Sequence, residues 1–361
     1  MSVNFNNNSK HVSYYNFGSG SLRNLEGLLD QKKGFKLFLI DHYFENKNIV
    51  QKLPVKEGDV VFFISTLHEP KTTVIDETLS HFLQLKGNEK PACIVGIGGG
   101  STLDTAKAIA NLYNNPGHAE AYQGWDLVKN QAVYKIGIPT ISGTGSESSR
   151  TCVMTNSKTG LKLGMNSDFT IYDQLILDPD LTKTVPDKQY FYTGMDTYIH
   201  CIESLAGSHR NAIGDAFSRE ALQLSREVFL SDDMKSDKNR EKIMVASYLG
   251  GVAIANSYVG VVHPFSAGLS VVLGTHHCVA NCIVMGAMEE FYPREYHEFN
   301  TMVQKQKIEI PRGIAANLSA SQYEQLFNST VIHEKPLTNA LGGNFKEILT
   351  FEKVTEVFKK M

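Results

Sequence analysis

At 361 residues, with 42% apolar and 20% charged side chains, the chain is long enough for two domains of ordinary size, each with its own core. A formal net charge of −3, with Lys and Arg scattered rather than clustered, argues against nucleic acid as a partner. Five cysteines (Cys93, Cys152, Cys201, Cys278, Cys282) form an odd set without a CxxC pair and read as reduced core residues of a cytoplasmic protein. The opening MSVNFNNNSK has neither an apolar core nor a cleavage pattern, so a frayed start and no signal peptide are expected. Residues 243–262 are apolar but interrupted by Ser247, Gly250, Gly251, Asn256 and Ser257. They read as a buried helix, and no membrane partner is expected.

In chain order, residues 35–40 (FKLFLI), 59–65 (DVVFFIS) and 92–97 (ACIVGI) have the length and β-branched or aromatic content of buried strands. Residues 71–85 alternate at helical spacing, with Val74, Leu79 and Phe82 expected on the buried side. Strand, helix, strand in this rhythm predicts a parallel sheet covered by helices.

The third strand runs into Gly98-Gly99-Gly100-Ser101, where the absence of side chains lets a ligand approach the backbone. Ser101 is expected to cap the following helix with Asp104 as its reciprocal partner, leaving free N–H groups and the positive helix end for a pyrophosphate. Asp41, at the end of the first strand, is the candidate for the ribose; an acid there favours NAD over NADP. Thr140, Thr144 and Ser146, interleaved with Gly143 and Gly145, make a hydroxyl-rich loop suited to a nucleotide.

Residues 181–185, between Pro179 and Pro186, read as a linker to a second, helical half, where Phe217, Ala221, Leu224 and Val228 fall on one helix face. There Asp196 and His200 stand four residues apart, one turn along a helix face, and His263 and His277 lie in the next apolar region. One carboxylate and three neutral imidazoles suit Fe²⁺ or Zn²⁺ with a position open for a substrate oxygen. Thr193 with Asp196 equally fits a capping box, and both readings stand at this level.

GGGSTLDTAK, PTISGTGSES, GMDTYIH and the late histidine pair, in this order, resemble the iron-containing alcohol dehydrogenase family from about Asp41 to Cys282. The resemblance implies an α/β dinucleotide-binding domain (1–180) with a parallel sheet and an all-α metal and substrate domain (181–361), an architecture shared with dehydroquinate synthase, with the cofactor in the cleft between them. It places Gly98, Gly99, Gly100, Ser101 and Asp104 at the pyrophosphate, Thr140, Thr144 and Ser146 on the nucleotide, Lys162 near the nicotinamide ribose, and Asp196, His200, His263 and His277 on one divalent metal. The chain departs from the family where a proton-relay histidine is common and Ala267 stands, and where Cys278 replaces a usual glycine. His276 adjoins His277, and spacing alone selects the latter as ligand. The stretch HPFSAGLSVVLGTHHCVANCIVM looks like the 3-deoxy-octulosonate 8-oxidase branch, which implies a sugar-acid substrate, with Arg150 as the cation for its carboxylate. The implied reaction is oxidation of a primary alcohol to an aldehyde by hydride transfer to the nicotinamide, His276 or solvent taking the proton. A simple alcohol or polyol dehydrogenase, a dehydroquinate-synthase-like lyase and a non-catalytic nucleotide-binding protein are the alternatives, and a homodimer is a further expectation.

Overall fold

The computed structural model describes residues 11–361; the expectation of a frayed start falls on the first ten, outside them. A six-stranded sheet has the order β1 (Tyr14–Phe17), β9 (Gln174–Leu177), β6 (Lys135–Pro139), β4 (Cys93–Gly98), β2 (Lys36–Asp41), β3 (Val60–Ile64). Each of its pairings is parallel. The expected strands are β2, β3 and β4. Central strands β4 and β6 are buried along their whole length, which is why they read as unbroken apolar runs rather than alternating ones. A second sheet of β5 (Gly124–Trp125), β8 (Lys162–Asn166) and β7 (Thr151–Thr155) stands at the edge of the cleft described below.

Helix α1 (Thr72–Leu85) buries Ile75, Leu79 and Phe82, at i, i+4 and i+7. Val74, expected inside, is 51% exposed, because it lies one residue, or about 100° of rotation, off that stripe. Helix α2 (Gly100–Leu112) leaves β4 directly and is buried on nearly every side from Thr102 onward. Its Lys107 is fully buried, and the ammonium donates to the carbonyls of Ser146, Ser149 and Thr151 in place of water.

After a 3₁₀ turn at Pro179–Thr182 the chain becomes helical: α3 (Asp187–Ala206), α4 (Ala212–Phe229), α5 (Asp237–Ser257), α6 (Val262–Leu273), α7 (His277–Met285), α8 (Pro293–Lys305), α9 (Ala320–Val331) and α10 (Glu334–Leu341). In α4 the buried stripe is Gly214, Ser218, Ala221, Ser225 and Val228. Phe217 and Leu224, expected on it, are half-buried at its flank, since small residues are what allow α4 to pack close. Residues 243–262 divide between α5 and α6, which meet at 104°, and among the described residues no single helix is long and apolar enough to cross a membrane.

The two halves are joined through the loop after β6. Thr197 on α3 donates to the Gly143 carbonyl at 2.7 Å, and the Gly143 amide donates to Ser247 Oγ on α5 at 2.8 Å. Gly143 has φ +148°, and a Cβ there would lie 1.6 Å from the Thr193 carbonyl oxygen. Gly145, at φ +63°, sits as tightly on Gly251. These glycines serve backbone contact between the halves rather than contact with a ligand.

Candidate active site

A cleft of about 990 Å³ runs between the halves, from Asp41 and the Gly99–Ser101 turn to His200, His263 and His277. Its volume is at the upper end of ligand pockets, about 300–1,000 Å³.

At one end α2 begins at Gly100, with Gly99 as a cap that offers no side-chain oxygen. The expected Ser101–Asp104 cap does not form. Asp104 instead accepts from Ser146 Oγ and from the Val153 amide and lies 3.6 Å from the Lys107 ammonium, fastening the helix to the nucleotide loop. The first-turn amides are thereby left for a ligand. Gly99, Gly100, Ser101, Thr140, Thr144 and Ser146 line the cleft. Gly98 is not among the lining residues, and a Cβ there would lie 2.7 Å from Thr102 and 2.9 Å from Asp41, so the turn itself needs glycine at this position. Asp41 accepts from the Tyr43 amide and the Thr66 hydroxyl at the cleft wall.

At the other end the side chains of Asp196 and His200 (α3), His263 (α6) and His277 (α7) converge. His263 Nε2 and His200 Nε2 lie 3.2 and 3.4 Å from Asp196 Oδ1, and His277 Nε2 lies 3.6 Å from Asp196 Oδ2. A tetrahedral ion with bonds of about 2.1 Å separates its ligands by roughly 3.4 Å; Asp196, His263 and His277 bring their ligand atoms within 4.8 Å of one another as a group that could hold a metal ion, and His200 adjoins it through Asp196. The fit has a second basis: Asp196 is completely buried, a position that a carboxylate tolerates only beside positive charge. The capping reading for Asp196 falls, because it sits mid-helix in α3.

Three of the four candidate ligands have bracing contacts, and His200 Nδ1 is left without a hydrogen-bond partner among the described residues. Glu203, one turn beyond His200 and fully buried, accepts from His263 Nδ1 and from the Val262 amide, which directs His263 Nε2 inward. Asn281, one turn beyond His277, donates to Asp196 Oδ1 at 2.7 Å. Glu69 accepts from the His277 amide at 2.8 Å and pairs with Lys162. Burial lowers His200 to about 4 and His277 to about 3, so both are neutral at pH 7. For His263 burial is outweighed by Glu203 and Asp196, which raise it to about 9. For Asp196 burial is likewise outweighed, by His200, His277 and His263, and its carboxyl stays below the usual range. Glu203 and Asn281 were legible in principle, at helical spacing from His200 and His277; nothing in the sequence pointed to Glu69.

Two models of one family match the chain: "Iron-containing alcohol dehydrogenase" over residues 13–179 and "Fe-containing alcohol dehydrogenase family, C-terminal" over residues 190–326. The chain belongs to the iron-containing alcohol dehydrogenase family. It is 36% identical to a sulfoacetaldehyde reductase of Bilophila wadsworthia over 52% of its own length and 49% of that enzyme's, so the match spans about half of that relative. It is 30% identical to an NAD-dependent methanol dehydrogenase of Bacillus methanolicus over 74% of its length and 71% of the relative's. In fold it is similar to sulfoacetaldehyde reductase from Bifidobacterium kashiwanohense in complex with NAD+, with a TM-score of 0.80 at 20% identity over 96% of both chains. Family membership makes the protein an alcohol oxidoreductase that uses NAD and a divalent metal.

Within this family member, Arg150 does not stand free for a substrate carboxylate. Its guanidinium pairs with Asp126 and with Asp168, which satisfy its charge. His276 is the exposed cap residue of α7 and lines the cleft, as does Ala267. His333, between α9 and α10, faces the same space, and burial lowers it to about 4.

Proposed function

We propose that the chain oxidises the primary alcohol of a sugar acid, such as 3-deoxy-D-manno-octulosonate at C8, to an aldehyde, with NAD preferred over NADP. The dinucleotide-binding part is assigned to residues 1–180 and the metal and substrate part to 181–361. The observation that carries the reading is the group Asp196, His263 and His277, with His200 beside Asp196, at one end of a cleft whose other end is lined by the Gly99–Ser101 turn. The similarity to a sulfoacetaldehyde reductase supports a substrate that carries an anion.

When bound, the metal supplies Lewis-acid polarisation of the alcohol oxygen and NAD supplies the hydride acceptor. The protein's own part is positioning. The amides of Gly100 and Ser101 and the hydroxyls of Thr140 and Thr144 hold the nucleotide, and Asp41 accepts from its ribose. Lys162, paired with the Glu69 that also accepts from the His277 amide, would meet the nicotinamide ribose. With Ala267 unable to carry a proton, His276 at the mouth of the cleft takes it to solvent.

A screen of metal-reconstituted protein against sugar acids and neutral primary alcohols, with NAD and with NADP, tests this. Steady NADH accumulation with an acid is the expected result. A neutral alcohol or polyol as the sole substrate class would replace the sugar-acid reading, and turnover without net NADH would favour a dehydroquinate-synthase-like lyase.

A further inference from the structure

The cleft lining includes Trp125, Tyr258, His333 and Lys335, side chains not assigned to ion or nucleotide. Trp125 follows Gly124 (φ +150°) in β5, and Tyr258 ends α5 at φ +61°, a conformation that a bulky residue adopts only under local compulsion. The two rings meet edge to face at 5.2 Å, and His209 packs against Tyr258 at 5.3 Å. The Lys335 ammonium lies 3.7 Å above the Trp125 ring centre and 5.7 Å from that of Tyr258. The cleft's other cations are satisfied: Arg150 by Asp126 and Asp168, Lys162 by Glu69. Lys335 has no carboxylate at ion-pair distance among the described residues, and Asp126, the acid within its field, is already held by Arg150. Two residues earlier on the same turn His333 faces the cleft within the field of His263 and Lys162, on the metal side of Lys335.

We propose that the turn of residues 332–336 reads the far end of the substrate: Lys335 binds an anionic head group, a carboxylate or a sulfonate, and His333 bonds a hydroxyl between that group and the metal. Trp125 and Tyr258 form the wall along which the carbon chain lies. This rests on the acid-substrate reading and assigns it a different receptor from Arg150. An ammonium above an indole face is held in place yet keeps N–H donors for a further partner, so an entering anion finds a placed cation without a competing acid to displace.

Trp125 is the only tryptophan in the chain, so its emission reports this part of the cleft in protein loaded with metal and NAD. Titration with gluconate (carboxylate) and isethionate (sulfonate), with butan-1-ol as the neutral control, is expected to change that emission for the anions. Dissociation constants should rise about tenfold in Lys335→Met and recover in Lys335→Arg. In turnover the preference for gluconate over butan-1-ol, as a ratio of kcat/KM, should fall by about the same factor in Lys335→Met. His333→Ala should weaken gluconate more than isethionate, whose only hydroxyl is the reacting one. If the wild type binds and oxidises the acids and Lys335→Met does so with undiminished preference, the assignment is wrong while the acid reading survives. If the wild type binds no anion and oxidises neutral alcohols only, the acid reading fails and the assignment goes with it.

Discussion

The two ends of the cleft bind by different means. At the metal end the candidate ligands are side chains from three helices, and two of them are held by further buried side chains, His263 by Glu203 and Asp196 by Asn281, while Glu69 holds the backbone at the start of α7. At the end assigned to the nucleotide the candidate groups are backbone amides at the start of α2, bounded by glycines and a hydroxyl loop, with no side-chain cap. Side-chain sites demand particular residue types and tolerate variation in backbone; backbone sites demand the reverse. The metal end should therefore fail through chemistry and the nucleotide end through sterics.

The largest expected effect is at the metal end. His200→Ala should lose both bound metal and turnover by more than about 100-fold, beyond the usual cost of losing an outer bracing group, while NAD binding persists. Elemental analysis alongside NAD titration checks this. Glu203→Gln keeps every ligand but weakens the acceptor that fixes His263, and metal affinity should drop about 10–100-fold. A chelator competition assay reads it.

Gly100→Ala should act on the other end only. Its Cβ would come within 3.0 Å of the Thr144 side chain, and the forced shift should raise the NAD dissociation constant about tenfold with metal content intact. A change in metal content would show that the two ends are not separable.

Acidity sharpens the same contrast. In metal-free protein His200 and His277 are neutral at pH 7, but His263, raised to about 9 by Glu203 and Asp196 against the effect of burial, carries a proton that an ion must displace. Metal affinity should rise about tenfold per pH unit from 7 to about 9 and then level, with a proton released on binding. Calorimetry in buffers of different ionisation enthalpy detects the release. Because this folded-state value lies above the ordinary 6.5, His263 stabilises the metal-free protein below pH 6.5, and that contribution is lost as the pH rises through 9. Nucleotide binding through backbone amides should lack this dependence.

The smallest effect is expected from Arg150→Ala. Its partners are 66% and 43% exposed, so solvent screens the pairs, and a loss of about 0.5–1 kcal/mol in thermal unfolding should result, with no selective rise in KM for acids.

Where the sequence was informative, a regular period carried the information. The apolar runs of β2 and β4 announced a parallel sheet because each is enclosed on both faces, β3 is a half-buried edge strand with the same apolar run, and Asp196 with His200 announced a site because four residues make one turn. The same periodicity would have reached Glu203 and Asn281. It could not reach the partners of Arg150, since Asp126 and Asp168 meet it only through the small second sheet. Nor could it show that Asp104 faces Ser146 rather than Ser101, because α2 starts two residues earlier than a Ser101 cap would place it. Val74 and Phe217 were misplaced by about one residue, the ordinary error of a period read without its partner surface.

Lys107 has a consequence for how the protein moves. Its ammonium is anchored to the carbonyls of Ser146, Ser149 and Thr151, and the same stretch is hydrogen-bonded across to Tyr248 and Ser247. Helix, loop and the facing α5 thus form a continuous keel of buried polar bonds, and prising the halves apart would rupture it with no water at hand to compensate. Nucleotide exchange should leave this keel undisturbed, with amide hydrogens at Gly143 and Gly145 exchanging as slowly in NAD-free protein as in the complex.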